Sequence, residues 1–175
     1  MKINRVEVGY LSCNCYILDI DNKVLVIDPG DEYDKIKPYL NNKEVLGVIL
    51  THRHFDHVGA LEDIVNDYKI EVYDNSNLEE KEYKIDNFKF KIIRTYGHTM
   101  DSICIYFEDD KIMFTGDFLF KESIGRTDFD TSSYNDMLKS IAKIKMYDPD
   151  IKIYPGHGPY TSLEHELTHN QFLGG

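Results

Sequence analysis

The segment Thr51-His52-Arg53-His54-Phe55-Asp56-His57 places four metal-ligating side chains within six residues, immediately behind the apolar run Val48-Ile49-Leu50. Three further candidates stand at the ends of strand-like segments: His98 after residues 90–95, Asp117 after 111–115 and His157 after 151–154. Imidazole nitrogen and carboxylate oxygen suit zinc and other borderline-soft divalent ions, and a catalytic site leaves one position open for water. Seven donors exceed what one tetrahedral ion takes, and they suit two ions that share a carboxylate. A lone histidine is more often a satisfied core or surface group. Four ligands packed behind a buried strand argue for a site instead.

Apolar periodicity and turn residues predict the scaffold around this cluster. Strands are expected over 3–8, 14–20 and 23–27, the last two joined at Asp21-Asn22, after which Asp28-Pro29-Gly30 breaks the chain. A short helix over 33–40 leads to a strand over 45–50. Apolar residues at 60, 61, 64 and 65 predict a helix over 60–67. Strands are expected again over 71–73, 88–95, 102–107 and 111–115, with Asp109-Asp110 turning between the last two. A stripe at 137, 138, 141 and 144 predicts a helix over 137–147, capped by Ser132 or Ser133. A strand over 151–154 and a helix over 162–172 follow. Two groups of strands, with helices between and after them, predict an α+β architecture in a single domain over 1–175. Two sheets would pack face to face with helices outside. The candidate ligands then fall where strands pass into loops along one edge, where catalytic groups collect.

At 175 residues the chain is long enough to bury roughly 70 % of its unfolded surface as one domain. Its net charge of −11, with no cluster of Lys and Arg, argues against a nucleic-acid partner, because phosphate contacts need grouped cations. No window approaches the ~18 apolar residues of a membrane span. The opening Met1-Lys2-Ile3-Asn4-Arg5 lacks the apolar stretch of a secretory signal. The three cysteines, Cys13, Cys15 and Cys104, match no metal or redox spacing, and Cys13 and Cys15 would share one face of a strand. Their odd count points to reduced thiols and a cytoplasmic chain.

The pattern H-x-H-x-D-H at 52–57, then Gly97-His98-Thr99, Thr115-Gly116-Asp117 and Pro155-Gly156-His157-Gly158, resembles the metallo-β-lactamase superfamily. Asp28-Pro29-Gly30 resembles its early motif. The resemblance implies a four-layer αββα sandwich with a dinuclear site, zinc first and iron or manganese as alternatives. Position by position, His52, His54 and His98 would hold the first ion, and Asp56, His57 and His157 the second. Asp117 would bridge both, and Asp56 and Asp117 are the candidate catalytic carboxylates. Two divalent cations, less two aspartates and a hydroxide, leave a site of about +1, where water ionises near neutral pH rather than at about 15.7. No serine or cysteine nucleophile stands in a convincing triad.

Asp117 takes a place where many β-lactamases of the superfamily have cysteine, and His57 one where many have arginine. Gly116-Asp117-Phe118-Leu119-Phe120 with Gly125-Arg126-Thr127-Asp128 is similar to the hydroxyacylglutathione hydrolase (glyoxalase II) branch. Pro155-Gly156-His157-Gly158-Pro159 with Asn170-Gln171-Phe172-Leu173 resembles its short bacterial members. That branch implies hydrolysis of a small acyl thioester, with Arg126 as a substrate-binding residue beside the thiol carrier. Met100-Asp101 replaces a usual Pro-Gly, and Gln171 stands in a proline position. The expected chain lacks the C-terminal helical domain that helps longer members hold glutathione, so thioester hydrolysis is better supported than glutathione as carrier. Two other readings stay open. One is a mononuclear iron persulfide dioxygenase, in which His52, His98 and Asp117 alone bind metal. The other is a non-catalytic metal-binding module. His165-Glu166-Leu167-Thr168-His169 also spells H-E-x-x-H, the two-histidine helix face of zinc proteases. With six residues after His169 no third ligand follows, and the segment reads as an amphipathic helix.

Overall fold

The computed structural model describes residues 1–174. The first sheet holds β1 (Lys2–Val8), β2 (Cys13–Ile20), β3 (Lys23–Ile27), β4 (Glu44–Ile49) and β5 (Glu71–Tyr73), side by side in chain order. β1, β2 and β3 pair antiparallel. The parallel pair β3–β4 is connected through α1 (Tyr33–Leu40), and the parallel pair β4–β5 through α2 (Phe55–Val58) and α3 (Leu61–Tyr68). The chain continues through β6 (Glu82–Ile85), β7 (Phe88–Arg94), β8 (Ile103–Phe107), β9 (Ile112–Gly116) and the small hairpin β10 (Leu119–Phe120) and β11 (Ser123–Ile124). Then come α4 (Tyr134–Ile144), β12 (Lys152–Pro155), β13 (Thr161–Ser162) and α5 (Leu163–His169). The second sheet runs β13-β12-β9-β8-β7-β6, antiparallel except between β9 and β12.

β2, β3 and β8 are apolar at nearly every position because both of their faces are buried. Successive residues therefore serve different layers. Ile17, Val24 and Val26 pack with Ile36 and Leu40 of α1 and Ile64 of α3. Their neighbours Tyr16, Leu18, Leu25 and Ile27 join Phe90, Ile105 and Phe114 between the sheets. On the second sheet, Cys104, Tyr106 and Met113 face Met137, Ile141 and Ile144 of α4 and Leu163 of α5. Three apolar layers between four layers of structure make an αββα sandwich, and truncating an inter-sheet side chain such as Leu25 to alanine would cost about 2–5 kcal/mol.

The departures from expectation sit at element ends and edges. α4 begins at Tyr134 rather than 137, since the Ser133 hydroxyl accepts from the Asp136 N–H at 3.2 Å and caps the helix there. The helix expected over 60–67 is α3, and a separate turn, α2, lies within the histidine cluster and ends before Gly59, whose N–H donates to the Gly30 carbonyl at 2.8 Å. α5 stops at His169 because the Asn170 amide turns back onto Glu166 at 2.8 Å. β6 was not expected: it is an edge strand in which Tyr83 and Ile85 alone reach the core. β10, β11 and β13 are two residues each, too short to show a period. No helix among the described residues is long and apolar enough to cross a membrane.

Candidate metal centre

All seven predicted donors meet at one edge of the sandwich. The segment after β4 carries His52 and His54, and α2 carries Asp56 and His57; His98 follows β7, Asp117 follows β9 and His157 follows β12. Two glycines permit the approach. Gly116 has φ 49°, and a Cβ there would stand 2.3 Å from Thr51 Oγ1, so glycine lets the chain turn past Thr51 into Asp117. A Cβ on Gly156 would lie 2.4 Å from Asp117 Oδ1 and 2.7 Å from His57 Cε1. The two sheets are also stitched together at this edge. Ile103 N–H donates to Thr51 O at 2.9 Å, Asn14 N–H donates to Gly156 O at 2.7 Å, and Cys13 bridges to His157.

The donors cluster in two groups on either side of Asp117. His52, His54 and His98 offer ring nitrogens within 4.8 Å of one another, and so do His52 and His57 with a carboxylate oxygen of Asp117. His98 Nε2 and His54 Nδ1 are 3.0 Å apart, and Asp117 Oδ2 lies 3.6 Å from that same Nε2. The other oxygen, Asp117 Oδ1, lies 3.3 Å from His57 Nε2 and 3.5 Å from His157 Nε2. Asp56 Oδ2 completes this second group at 3.2 Å from His157 Nε2 and 3.8 Å from His57 Nε2. A single carboxylate thus turns one oxygen toward each group.

The network behind the rings determines which nitrogens are bare. His98 Nδ1 lies 2.9 Å from the Arg126 carbonyl and His157 Nδ1 lies 3.0 Å from the Leu11 carbonyl. A carbonyl can only accept, so both rings donate from Nδ1 and turn Nε2 toward the other donors. Thr51 spends its hydroxyl hydrogen on Asp28 at 2.6 Å and so accepts from His52 Nδ1 at 3.1 Å. Asp28 is held in turn by the Thr51 N–H at 2.8 Å, and its Oδ2 takes His57 Nδ1 at 3.0 Å. Outward partners of this kind are what orient metal-binding histidines. His52 Nε2, His57 Nε2 and Asp117 Oδ1 are buried without a hydrogen-bond partner, the last two close but not aligned to bond each other. Unmet buried polar atoms cost about 1–3 kcal/mol each, and an ion between them removes that cost. The residues fit divalent metal.

Electrostatics favour positive charge at the same point. Burial resists ionisation of Asp117, yet His57, His52 and His157 outweigh it and hold the carboxyl well below the usual carboxylate range. Burial likewise works against a charged His57, but Asp28 and Asp117 overcome it and raise its pKa well above that of a free imidazole. Burial, reinforced by the neighbouring His57, pushes His52 the other way, so that ring stays neutral. A cation at His57 Nε2 is what this environment favours, and a divalent ion meets that demand as well as a proton does. Cys13 also lies within reach, its Sγ 3.7 Å from His57 Nδ1, and groups with His57 and His157. Burial raises its thiol to about 11 and Asp28 already occupies that ring nitrogen, so Cys13 packs behind the site.

Arg126, predicted to contact substrate, stands on the rim of a cleft of about 590 Å³ that opens over His54, Asp56, His98, Asp117 and His157. Its side chain is exposed and ion-paired with Asp128. Its backbone carbonyl is what fixes His98. Asn14 was missed by sequence reasoning: fully buried, its amide donates to Pro155 O at 3.0 Å and Gly158 O at 2.9 Å, pinning the loop that carries His157. A polar residue set between Cys13 and Cys15 in a largely apolar strand was the available signal. His165 and His169 of the H-E-x-x-H segment stack on each other at the surface, and His165 is paired with Glu122 rather than with any of these donors.

The sequence profile described as the metallo-beta-lactamase superfamily matches residues 8–80 and 70–157. The chain belongs to the metallo-β-lactamase superfamily. A probable metallo-hydrolase of Bacillus subtilis, YqgX, is 31 % identical over 208 residues, covering 100 % of this chain and 99 % of its own. The hydroxyacylglutathione hydrolase GloC of Haemophilus influenzae is 30 % identical over 210 residues, covering 99 % of this superfamily member and 98 % of its own length. Among solved structures, the BLEG-1 B3 metallo-β-lactamase superposes with a TM-score of 0.94 at 28 % identity, covering 99 % of this chain and 100 % of that one. A protein crystallised in a di-iron-bound form gives 0.89 at 28 % identity, over 97 % and 100 %.

Proposed function

We propose that this superfamily member hydrolyses small acyl thioesters with two divalent ions. The observation that carries the reading is Asp117, whose two oxygens face different histidine groups. His52, His54 and His98 would hold one ion, Asp56, His57 and His157 the other, and Asp117 both. Ions bound there would supply Lewis acidity and a water that ionises near neutral pH. Zinc suits this nitrogen and oxygen donor set, and the di-iron relative keeps iron in view.

The chain's own residues supply orientation and shelter. Neighbouring charge keeps Asp117 ionised despite its burial, and Asp56, where burial is likewise outweighed by His157, stays ionised beside it. Both line the cleft, where they would accept hydrogen bonds from a water directed at the acyl carbon. Leu11, Phe55, Phe120 and Ile124 wall the cleft with apolar surface, which excludes bulk water and strengthens charge interactions inside. The acyl carbonyl would lie toward the seven donors, with the thiol half outward along the rim. The hydroxyacylglutathione hydrolase named above supports a thioester.

The test is metal content and turnover on one preparation purified without added metal. Two ions per chain, with hydrolysis of a lactoyl thioester after loading with zinc, iron or manganese, are expected. One iron per chain, no thioester turnover and oxygen uptake on a persulfide would replace this reading with the dioxygenase. Bound metal without turnover on either substrate would leave a non-catalytic module.

A further inference from the structure

The cleft wall offers a substrate's outer half apolar contacts from Leu11, Phe55, Phe120, Ile124 and Phe129, and Arg126 is the one Lys or Arg among its described lining residues. That guanidinium is already engaged. Its Nε and Nη2 donate to the two oxygens of Asp128 at 2.9 Å each, and its Cζ stands 4.6 Å from the centre of the Phe129 ring. Phe129 in turn packs edge-on against His54 and His98, ring centres 5.2 and 5.6 Å away. The geometry points to Asp128 as a specificity-determining residue that occupies Arg126 and turns the cleft toward thioesters of neutral, apolar thiols and away from carboxylate-bearing carriers. This rests on the thioester reading above.

The physical argument is one of competition. The planar fork of arginine recognises a carboxylate through two parallel hydrogen bonds, and Asp128 fills both. Asp128 is tethered two residues away, so it competes at an effective concentration of about millimolar or more, whereas a substrate carboxylate arrives from solution. The side chains of the pair remain 68 % and 65 % exposed, which keeps the interaction weak enough for a substrate to displace it at a cost. The preference is therefore graded rather than absolute. The net charge of −11 adds to the disadvantage of an anionic carrier, while a neutral thiol loses nothing and gains contact with the apolar wall.

Asp128→Asn keeps the side chain's size and removes its charge. Metal-loaded wild type and variant are compared on S-lactoylglutathione and on the S-lactoyl thioester of N-acetylcysteamine, a neutral thiol. The ratio of KM for the glutathione thioester to KM for the neutral one should fall about fivefold in Asp128→Asn, the scale of an exposed ion pair. It should return toward the wild-type value in the double variant Arg126→Ala/Asp128→Asn. An unchanged ratio, or equal changes for both substrates, overturns the proposal. Binding of the non-hydrolysable thioethers S-hexylglutathione and S-hexyl-N-acetylcysteamine, measured by calorimetry, asks the same question without turnover. Tighter binding of the anionic thioether alone in Asp128→Asn supports the role of Asp128, and an unchanged binding ratio overturns it. If the wild type cleaves neither thioester, the functional reading falls while the binding ratio still decides about Asp128.

Discussion

Asp117 is shared between two groups of donors, so its loss has a different reach from the loss of any histidine. Asp117→Ala is expected to lower ion content at both positions, and His57→Ala mainly at the second, read as metal per chain after purification. Near-complete retention of both ions in Asp117→Ala counts against a shared ligand. Gly156→Ala tests the crowding around the same carboxylate, since the new methyl would press on Asp117 and His57. Overpacking of this kind costs about 1–3 kcal/mol, and here it should appear as lost metal and turnover more than as lost melting temperature. A fully loaded, fully active Gly156→Ala protein would mean that the loop yields. The seven donors were legible in the sequence because four crowd into one loop and the others each end a strand. Their supports were not. Asp28 meets His57 across 29 residues of sequence and the Leu11 carbonyl meets His157 across 146, and no residue pattern marks a backbone oxygen that acts at such a distance.

At the scale of elements, α5 shows how a motif can match while its geometry does not. Its two histidines stack outward, whereas Glu166 is fully buried. Glu166 accepts from the Thr161 hydroxyl at 2.6 Å, the Glu122 N–H at 2.8 Å and the Asn170 amide at 2.8 Å, tying β13 and the β10–β11 hairpin to the helix. Changing His165 and His169 together to glutamine is expected to leave metal content and turnover nearly intact. Glu166→Ala should lower stability by about 2–3 kcal/mol in denaturant titration, because it leaves three donors unmet in a buried space. Loss of one ion per chain in the double-glutamine variant would make α5 a real site. Most strands and helices were legible from apolar runs, but which face of a strand meets which layer was not. β2, β3 and β8 are apolar on both faces, so their residues carry no alternation to read. The helix starts depended on a single hydroxyl, Ser133 rather than Ser132. Ser132 instead donates to the His98 carbonyl at 2.6 Å, a task no local pattern announces.

For the whole molecule, three apolar clusters pack the sandwich away from the site, whose buried nitrogen and oxygen atoms include several without a hydrogen-bond partner. Chelation should therefore leave the chain folded and less stable. At free ion near 100 times Kd, each bound ion contributes about 2.7 kcal/mol, which for a chain of this size corresponds to about 5–10 °C in Tm per ion. Complete unfolding by chelator, seen in circular dichroism, would contradict the idea that packing alone suffices. The stitched edge between the sheets carries one further consequence. In the proposed assignment each position would draw two donors from the first half of the chain and two from the second: His52 and His54 with His98 and Asp117, then Asp56 and His57 with His157 and Asp117. Before the halves dock, neither position would have its full set of four donors, although the loop at 52–57 already carries four of the seven. Complete loading under that assignment would follow correct docking of the two sheets, and a chain caught in a wrong pairing would lack half of each donor set.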